Sequence, residues 1–342
     1  MLVMIVYIIF ILYEKILGEE DMKLYRYFLG AVIAAFNPID ATQLVYNMKV
    51  QRAFAPGFEG QDLGEEQSSR KRSRWALSVA PAVHTRERDI ADQEIGLNVH
   101  EDTVIGGALL NLRYRPTRHL WWNVLTGVLK EHMTLNGTSN IDASRTGFDD
   151  VIFSGGYHML PQEDLELVVY GLIGVPTRHH VCPFEFTNAL VGTRFWSIGG
   201  GAEVAYLLMH EEDRSSYAIA QLRFIHFFDR SYFPVLPCNT RVQPGNVTDL
   251  LLTFQHHEGP NTFEGGYNLT AFTDRALIVD RQDVIRDRTV LRNSFYLGVS
   301  HISRNDCDPS KSITLGTGLS TAWENRFNMQ SFSWWFVVSK TY

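Results

Sequence analysis

Three cysteines in 342 residues are too few for a disulfide framework, and Cys182, Cys238 and Cys307 form no CxxC pair, so a zinc site of the usual spacing is not expected. Positive charge is short too. Lys and Arg number 31 against 38 Asp and Glu, a net charge of −7, which argues against a nucleic-acid binder. Past the N-terminus there is no long apolar run and no helical period of useful length, so helix is a minor component of the remaining chain. None of this excludes a membrane β-barrel. Mean hydropathy is −0.11, but lipid-facing and lumen-facing residues alternate in a barrel and cancel in any window.

What the chain has instead is alternation. The closing "SFSWWFVVSKTY" puts Phe332, Trp334, Phe336, Val338 and Tyr342 on one side and Ser331, Ser333, Ser339 and Thr341 on the other. An apolar strand at a chain terminus needs a cover, either a second sheet or lipid. From Trp75 onward the theme repeats: about ten alternating residues, then a polar break. "WALSVAPAV" sets Trp75, Leu77, Val79 and Val83 against Ser78, Ala80 and Ala82, and "LLNLRYR" sets Leu110, Leu112 and Tyr114 against Asn111, Arg113 and Arg115. A sandwich core does not take such charges unpaired, whereas a watery lumen does. The pattern continues through "DVIFSGGYHM", "LELVVYGLIGV", "YAIAQLRFIHF", "DLLLTFQ", "TFEGGYNLTAF", "SFYLGVS" and "ITLGTGLSTAW", with Pro, Asp, Asn and Ser in the breaks as turns require.

The fold class read from this is all-β: a closed antiparallel transmembrane barrel of about twelve strands, with fourteen as the alternative. Twelve requires "SIGGGAE" to lie inside one long strand, roughly Ala189 to Met209, with a β-bulge at Gly199 to Gly201. That reading turns Ala189, Val191, Thr193 and Phe195 to lipid before the glycines, and Ala202, Val204, Tyr206 and Leu208 after them. It also places Trp75, Leu110, Tyr114, Val169, Phe224, Tyr267, Trp334 and Phe336 outward. Its parity puts Cys182 and Cys238 in outer breaks, where a disulfide is expected, and Cys307 on the opposite side.

The N-terminus carries "MLVMIVYIIFILY" and then, from Met22, "MKLYRYFLGAVIAAF", in which Lys23 and Arg26 precede an apolar run ending in Ala34 and Ala35. That is the layout of a secretory signal, with cleavage after Ala35 or Ala41 and Met22 as the working start; an inner-membrane anchor made of both segments is the alternative. The organisation read is residues 1–41 as a targeting segment with a signal helix, 42–74 as a periplasmic or plug segment, and 75–342 as the barrel.

"GFDDVIFSGGYHML" followed by "LVVYGLIGVPTR" resembles adjacent strands of outer-membrane channels of the aromatic-hydrocarbon and phenol-degradation transporter type, with Arg178 standing where those channels carry a glycine. The C-terminal aromatic strand resembles the assembly signal of Gram-negative-type outer-membrane barrels, interrupted at Lys340. The resemblance implies a porin-like channel in the outer membrane. Its implied partners are the lipid bilayer and outer-membrane lipids, the barrel assembly machinery through the last strand, and small solutes. It implies no catalytic residues; no nucleic acid, cofactor or metal is expected.

The expected pore-lining set is Arg113, Arg115, Asp150, His158, Glu166, Arg194, Glu203, Arg223, Glu264 and Asn268, a mixed-sign lining suited to ordering water and selecting small solutes. Pairing across a plugged lumen, in a structural or adhesive barrel without an open pore, is the bland account of the same residues. "HISRND" raises a lipid hydrolase as an enzymatic alternative, with His301, Ser303 and Asn305 vaguely resembling a nucleophile cluster. "TRHHVC" and "QHHE" offer metal ligands on paper. Adjacent histidines on extended backbone point to opposite faces, so each pair supplies one ligand at most.

Overall fold

The computed structural model describes residues 75–342 except 93–96, 118, 138–140, 163, 178–194, 232–239, 274–275, 280–281, 287–288, 306–307 and 325–328. The targeting and plug segments, Arg194 and the three cysteines lie outside the described residues. Strands dominate, and no helix occurs among the described residues. They are β1 (Trp75–Asp92), β2 (Leu97–Tyr114), β3 (Leu120–Gly137), β4 (Ile141–Phe148), β5 (Val151–Gln162), β6 (Leu165–Val175), β7 (Ser197–Glu211), β8 (Arg214–Phe227), β9 (Arg230–Ser231) and β10 (Thr240–Gln243). The rest are β11 (Asn246–Glu258), β12 (Asn261–Thr273), β13 (Ala276–Val279), β14 (Gln282–Arg286), β15 (Val290–Asn305), β16 (Asp308–Glu324) and β17 (Met329–Thr341).

Thirteen of these form one antiparallel sheet that closes on itself, since β2 pairs with β3 as well as β1, and β1 pairs with β17. β4 and β5 lie end to end along β3, against Val128–Leu135 and Leu120–Leu125, so they make one wall element and the barrel has twelve staves. Apart from β4, which pairs only with β3 among the described residues, each wall strand is flanked on both sides, which is what allows a sheet to cross hydrocarbon. The short β9, β10, β13 and β14 form a second sheet beyond β8, β11, β12 and β15. Those four strands break at a common level, marked by Pro244 and by Gly245, whose φ of 79° favours glycine. The short connections, such as Glu212–Asp213 and Gly259–Pro260, gather at the end where Trp75 and Tyr342 meet; the long ones gather at the other.

Alternation decides which side chains go where. Trp75, Leu110, Val169, Phe224 and Trp334 are exposed on the outer wall, and Tyr114, Tyr267 and Phe336 share that outward register half-buried. The band on β1 and β2 ends at Val83 and Val104, beyond which the outer face carries Glu87, Asp89, His100 and Asp102. An apolar belt with charge beyond it is the profile of a wall immersed in a bilayer.

One expected irregularity is absent and another takes its place. Gly199, Gly200 and Gly201 pair in unbroken register with Ile225, Phe224 and Arg223, Phe195 is buried inward, and Trp196 and Ile198 already face out. No bulge sits at the glycines; the slip in β7 falls between Leu207 and Met209. β7 begins at Ser197, and residues 189–194 lie outside the described part. The glycines serve close approach instead, because a Cβ on Gly201 would stand 2.6 Å from the Tyr170 hydroxyl. The stave made of β4 and β5 does bulge. Asp149, Asp150 and Val151 oppose only Thr126 and Gly127 of β3, between the pairs Val128–Phe148 and Leu125–Ile152. The extra residue turns two consecutive carboxylates inward, both buried.

Candidate functional site

The lumen lining mixes small and bulky positions. β1, β16 and β17 turn Ser78, Ala80, Ala82, Gly316, Gly318, Ser320, Ser333 and Ser339 inward, together with the larger Trp335 and Val337. β3, β5, β6 and β8 present Leu125, Ile152, Leu172, Ile219, Ile225 and Phe227. This alternation of size sets the shape of the interior, since side chains in a narrow barrel must interdigitate.

Charge runs through this interior as adjacent-strand pairs. Arg223 donates from Nε and Nη2 to Asp249 Oδ2 at 3.0 and 2.6 Å, and the Thr270 hydroxyl donates to Asp249 Oδ1 at 2.6 Å. Arg292 donates to Glu324 at 2.8 Å, Arg86 pairs with Glu101 and also donates to Thr103, and His158 meets Glu166. Such neighbours can offset the desolvation that each charge suffers inside the wall. The register strings several together: Trp121, Gly156, Tyr170, Gly201, Arg223, Asp249, Thr270, Arg292 and Glu324 are successive partners from β3 to β16. Because staves tilt, this row climbs from the short-turn end of β3 to the far end of β16.

Of the expected lining residues, Asp150, His158, Glu166, Glu203, Arg223 and Asn268 are buried at inward positions, and Asn268 donates to Thr270 at 3.3 Å. Arg113 and Arg115 are half-buried at the short-turn end, with the Arg113 guanidinium 4.9 Å above the Trp121 ring. Glu264 is half-buried beside Gly298. Sequence reasoning did not single out Arg86, Glu101, Glu131, Asp149, Asp249, Arg292 and Glu324. All are buried and inward. Arg86, Glu101 and Glu131 lie where strands extend past their alternating cores, and Glu324 lies in what reads as a break, so strand length was the missing signal.

Four aromatic rings lie flat on the inner wall, each over a glycine of the next stave. A Cβ on Gly156 would sit 2.6 Å from Trp121 Cζ2, one on Gly201 2.8 Å from Tyr170 Cζ, one on Gly266 2.9 Å from Tyr296 Cζ, and one on Gly318 2.7 Å from Trp335 Cε2. The tyrosines are anchored one stave further on. Gln221 donates to the Tyr170 hydroxyl at 2.7 Å, and the Tyr296 and Thr253 hydroxyls are 2.6 Å apart. A glycine under an aromatic ring is a recurrent sheet device, since the missing side chain leaves a seat for the ring.

The metal constellation is not brought together among the described residues, and the enzymatic one is brought together only in part. His301 and Ser303 both face outward, and His301 Nδ1 is 2.9 Å from Asn261 Oδ1. The Asn305 side chain lies outside the described residues. His256 and His257 point to opposite faces, bonded to Ser216 and Thr262 at 2.9 Å each. His179 and His180 also lie outside the described residues. Among the described residues no group of three His, Cys, Asp or Glu is placed to hold a metal ion.

No family model matches the sequence, and no curated protein does. Solved structures do match. The COG4313 outer membrane channel from Pseudomonas putida F1 superposes with a TM-score of 0.58 over 81% of this chain and 98% of that one, at 12% identity. The fold is a closed β-barrel like that of this solved structure. Weaker likenesses include the CymD monoaromatic hydrocarbon channel, with a TM-score of 0.38, 8% identity and coverage of 80% of this chain and 89% of that one. The NanC porin gives 0.34, 12%, 76% and 98%. The apolar belt independently places the wall in a membrane.

Proposed function

We propose that this barrel is an outer-membrane channel through which small solutes pass passively. The observation that carries the reading is the pairing of a closed, apolar outer wall with an interior that alternates buried charge and apolar bulk. Mixed-sign linings order water and discriminate among small solutes by charge and size. In this reading Arg113, Arg115, Asp150, His158, Glu166, Glu203, Arg223, Glu264 and Asn268 line the path, together with Arg194. Residues 1–41 direct export, residues 42–74 form a periplasmic or plug segment, and β17 is offered to the barrel assembly machinery.

Single-channel recording from refolded protein in a planar bilayer tests the reading, and discrete current steps are the expected result. A barrel without an open pore is the second reading, favoured by the ion pairs that tie the lumen charges to one another. Folded protein that inserts and passes no current would establish it. Release of fatty acid from phospholipid vesicles would instead point to hydrolysis. The Asn261 amide oxygen at His301 Nδ1 is the kind of contact that orients such a base, so the vesicle assay is what separates this outcome from the channel reading.

A further inference from the structure

We infer that Tyr170 and Tyr296, through their seats on Gly201 and Gly266 and their anchors Gln221 and Thr253, set the bore of the lumen and so its size limit; this rests on the proposed channel function. Both tyrosines sit at inward positions, where an unrestrained ring stands up from the wall into the interior. Neither does so here. Each lies over the neighbouring stave, as the 2.8 and 2.9 Å approaches to the glycines require, and each hydroxyl is held on the stave beyond at 2.7 and 2.6 Å. The register lines these parts up. Gly266 is the direct partner of both Tyr296 and Thr253, so ring, seat and anchor fall on one line across three staves. Gly201 is the direct partner of Tyr170, and Gln221 lies two residues along the next stave from Arg223, opposite Glu203.

The device matters because the interior is closely filled, with Tyr170 8% and Tyr296 2% exposed. A phenol laid on the wall takes about the thickness of a ring from the lumen; the same phenol standing takes its length. The anchor therefore decides how much room remains. Trp121 and Trp335 extend the arrangement to other staves without a hydroxyl anchor. Trp121 also leads into Tyr170, with ring centroids 6.2 Å apart.

Removing a ring and removing its anchor should therefore have opposite effects, which a merely structural role for the tyrosines does not predict. Tyr170→Ala and Tyr296→Ala widen the bore, while Gln221→Leu, Thr253→Val and the Tyr→Phe variants keep the ring and release it. Conductance in a planar bilayer is measured with neutral polyethylene glycols of graded size as blockers. The alanine variants are expected to raise conductance roughly two-fold and admit larger polymers, and the anchor variants to lower it by roughly half with added flicker. Folding is monitored as resistance of the barrel to SDS before heating. If an alanine variant does not fold, the Phe and anchor variants decide alone, since their lowered conductance has no other source in this scheme. Conducting wild type with unchanged variants, or with both classes shifted the same way, overturns the inference alone. A wild type that folds, inserts and passes no current ends the channel reading and the inference together.

Discussion

Asp149 and Asp150 are neighbours in sequence and nevertheless face the same way, into the lumen, because three residues of their stave oppose two of β3. The Asp149 carboxylate accepts the Asp150 amide at 2.8 Å, which closes the bulge on itself. The register yields an unusual expectation. Deleting Asp150 leaves Asp149 opposite Gly127 and Val151 opposite Thr126, so every other side chain of β4 and β5 keeps its face. That variant should fold as an SDS-resistant barrel. Deleting Val168, in the regularly paired middle of β6, flips one end of the stave, and that variant should not. Comparing mobility before and after heating checks both.

Arg223 and Asp249 are each about 3% exposed and held to one another, so removing one alone strands a charge inside the wall. Arg223→Met should destabilise the barrel by about 3–5 kcal/mol, and the Arg223→Met/Asp249→Leu double variant should recover much of that. Urea midpoints in detergent read the difference. A double variant no better than the single one would show that Thr270 and the rest of the row, rather than the pair, govern stability.

Arg113 and Arg115 stand on one inward face at the short-turn end. Fixed cations in a low-dielectric passage favour anions. Replacing both with Gln should move the reversal potential in a salt gradient toward the cation value. No movement would place them off the conduction path.

His100 lies beyond the apolar belt, 2.7 Å from Asp89 and 3.2 Å from Asp102. The hydrogen bond to Asp89, and after it the neighbouring Asp102 charge, raise its pKa above 6.5, although desolvation opposes them. A raised folded value means the protonated form is the stabilised one. Its contribution is present below the ordinary histidine range and is lost as pH rises through the folded pKa. Proton NMR of the histidine ring, assigned with His100→Gln, should show the midpoint falling in Asp89→Asn.

Alternation was readable wherever the two faces of a strand differ, as in β1 and β17. β3 was not readable this way. Trp121, Leu125 and Leu129 point in and Trp122 and Val128 point out, so both faces are apolar and the period-two contrast vanishes. Lining charges such as Arg223, His158 and Glu166 could be assigned a side from their own strand. Which of them pair could not, because Arg223 meets Asp249 and His158 meets Glu166 through inter-strand register, which no single strand encodes. The glycines of β7 misled for a related reason. Glycine marks both bulges and seats for rings, and only the neighbouring stave reveals that Tyr170 lies over Gly201.

The seam of the barrel joins the first stave to the last, with Ala76 opposite Thr341, Glu87 opposite Gln330, and the Tyr342 amide donating to the Trp75 carbonyl at 3.0 Å. Every other stave pairs with a stave adjacent in the barrel's own chain order, but this junction brings together residues from the two ends. Synthesis therefore delivers the two halves of the joint at different times, and β1 waits with a bare edge until β17 arrives. Chaperoning that edge during the wait is a requirement written into the topology, since an unpaired edge strand recruits whatever strand it meets.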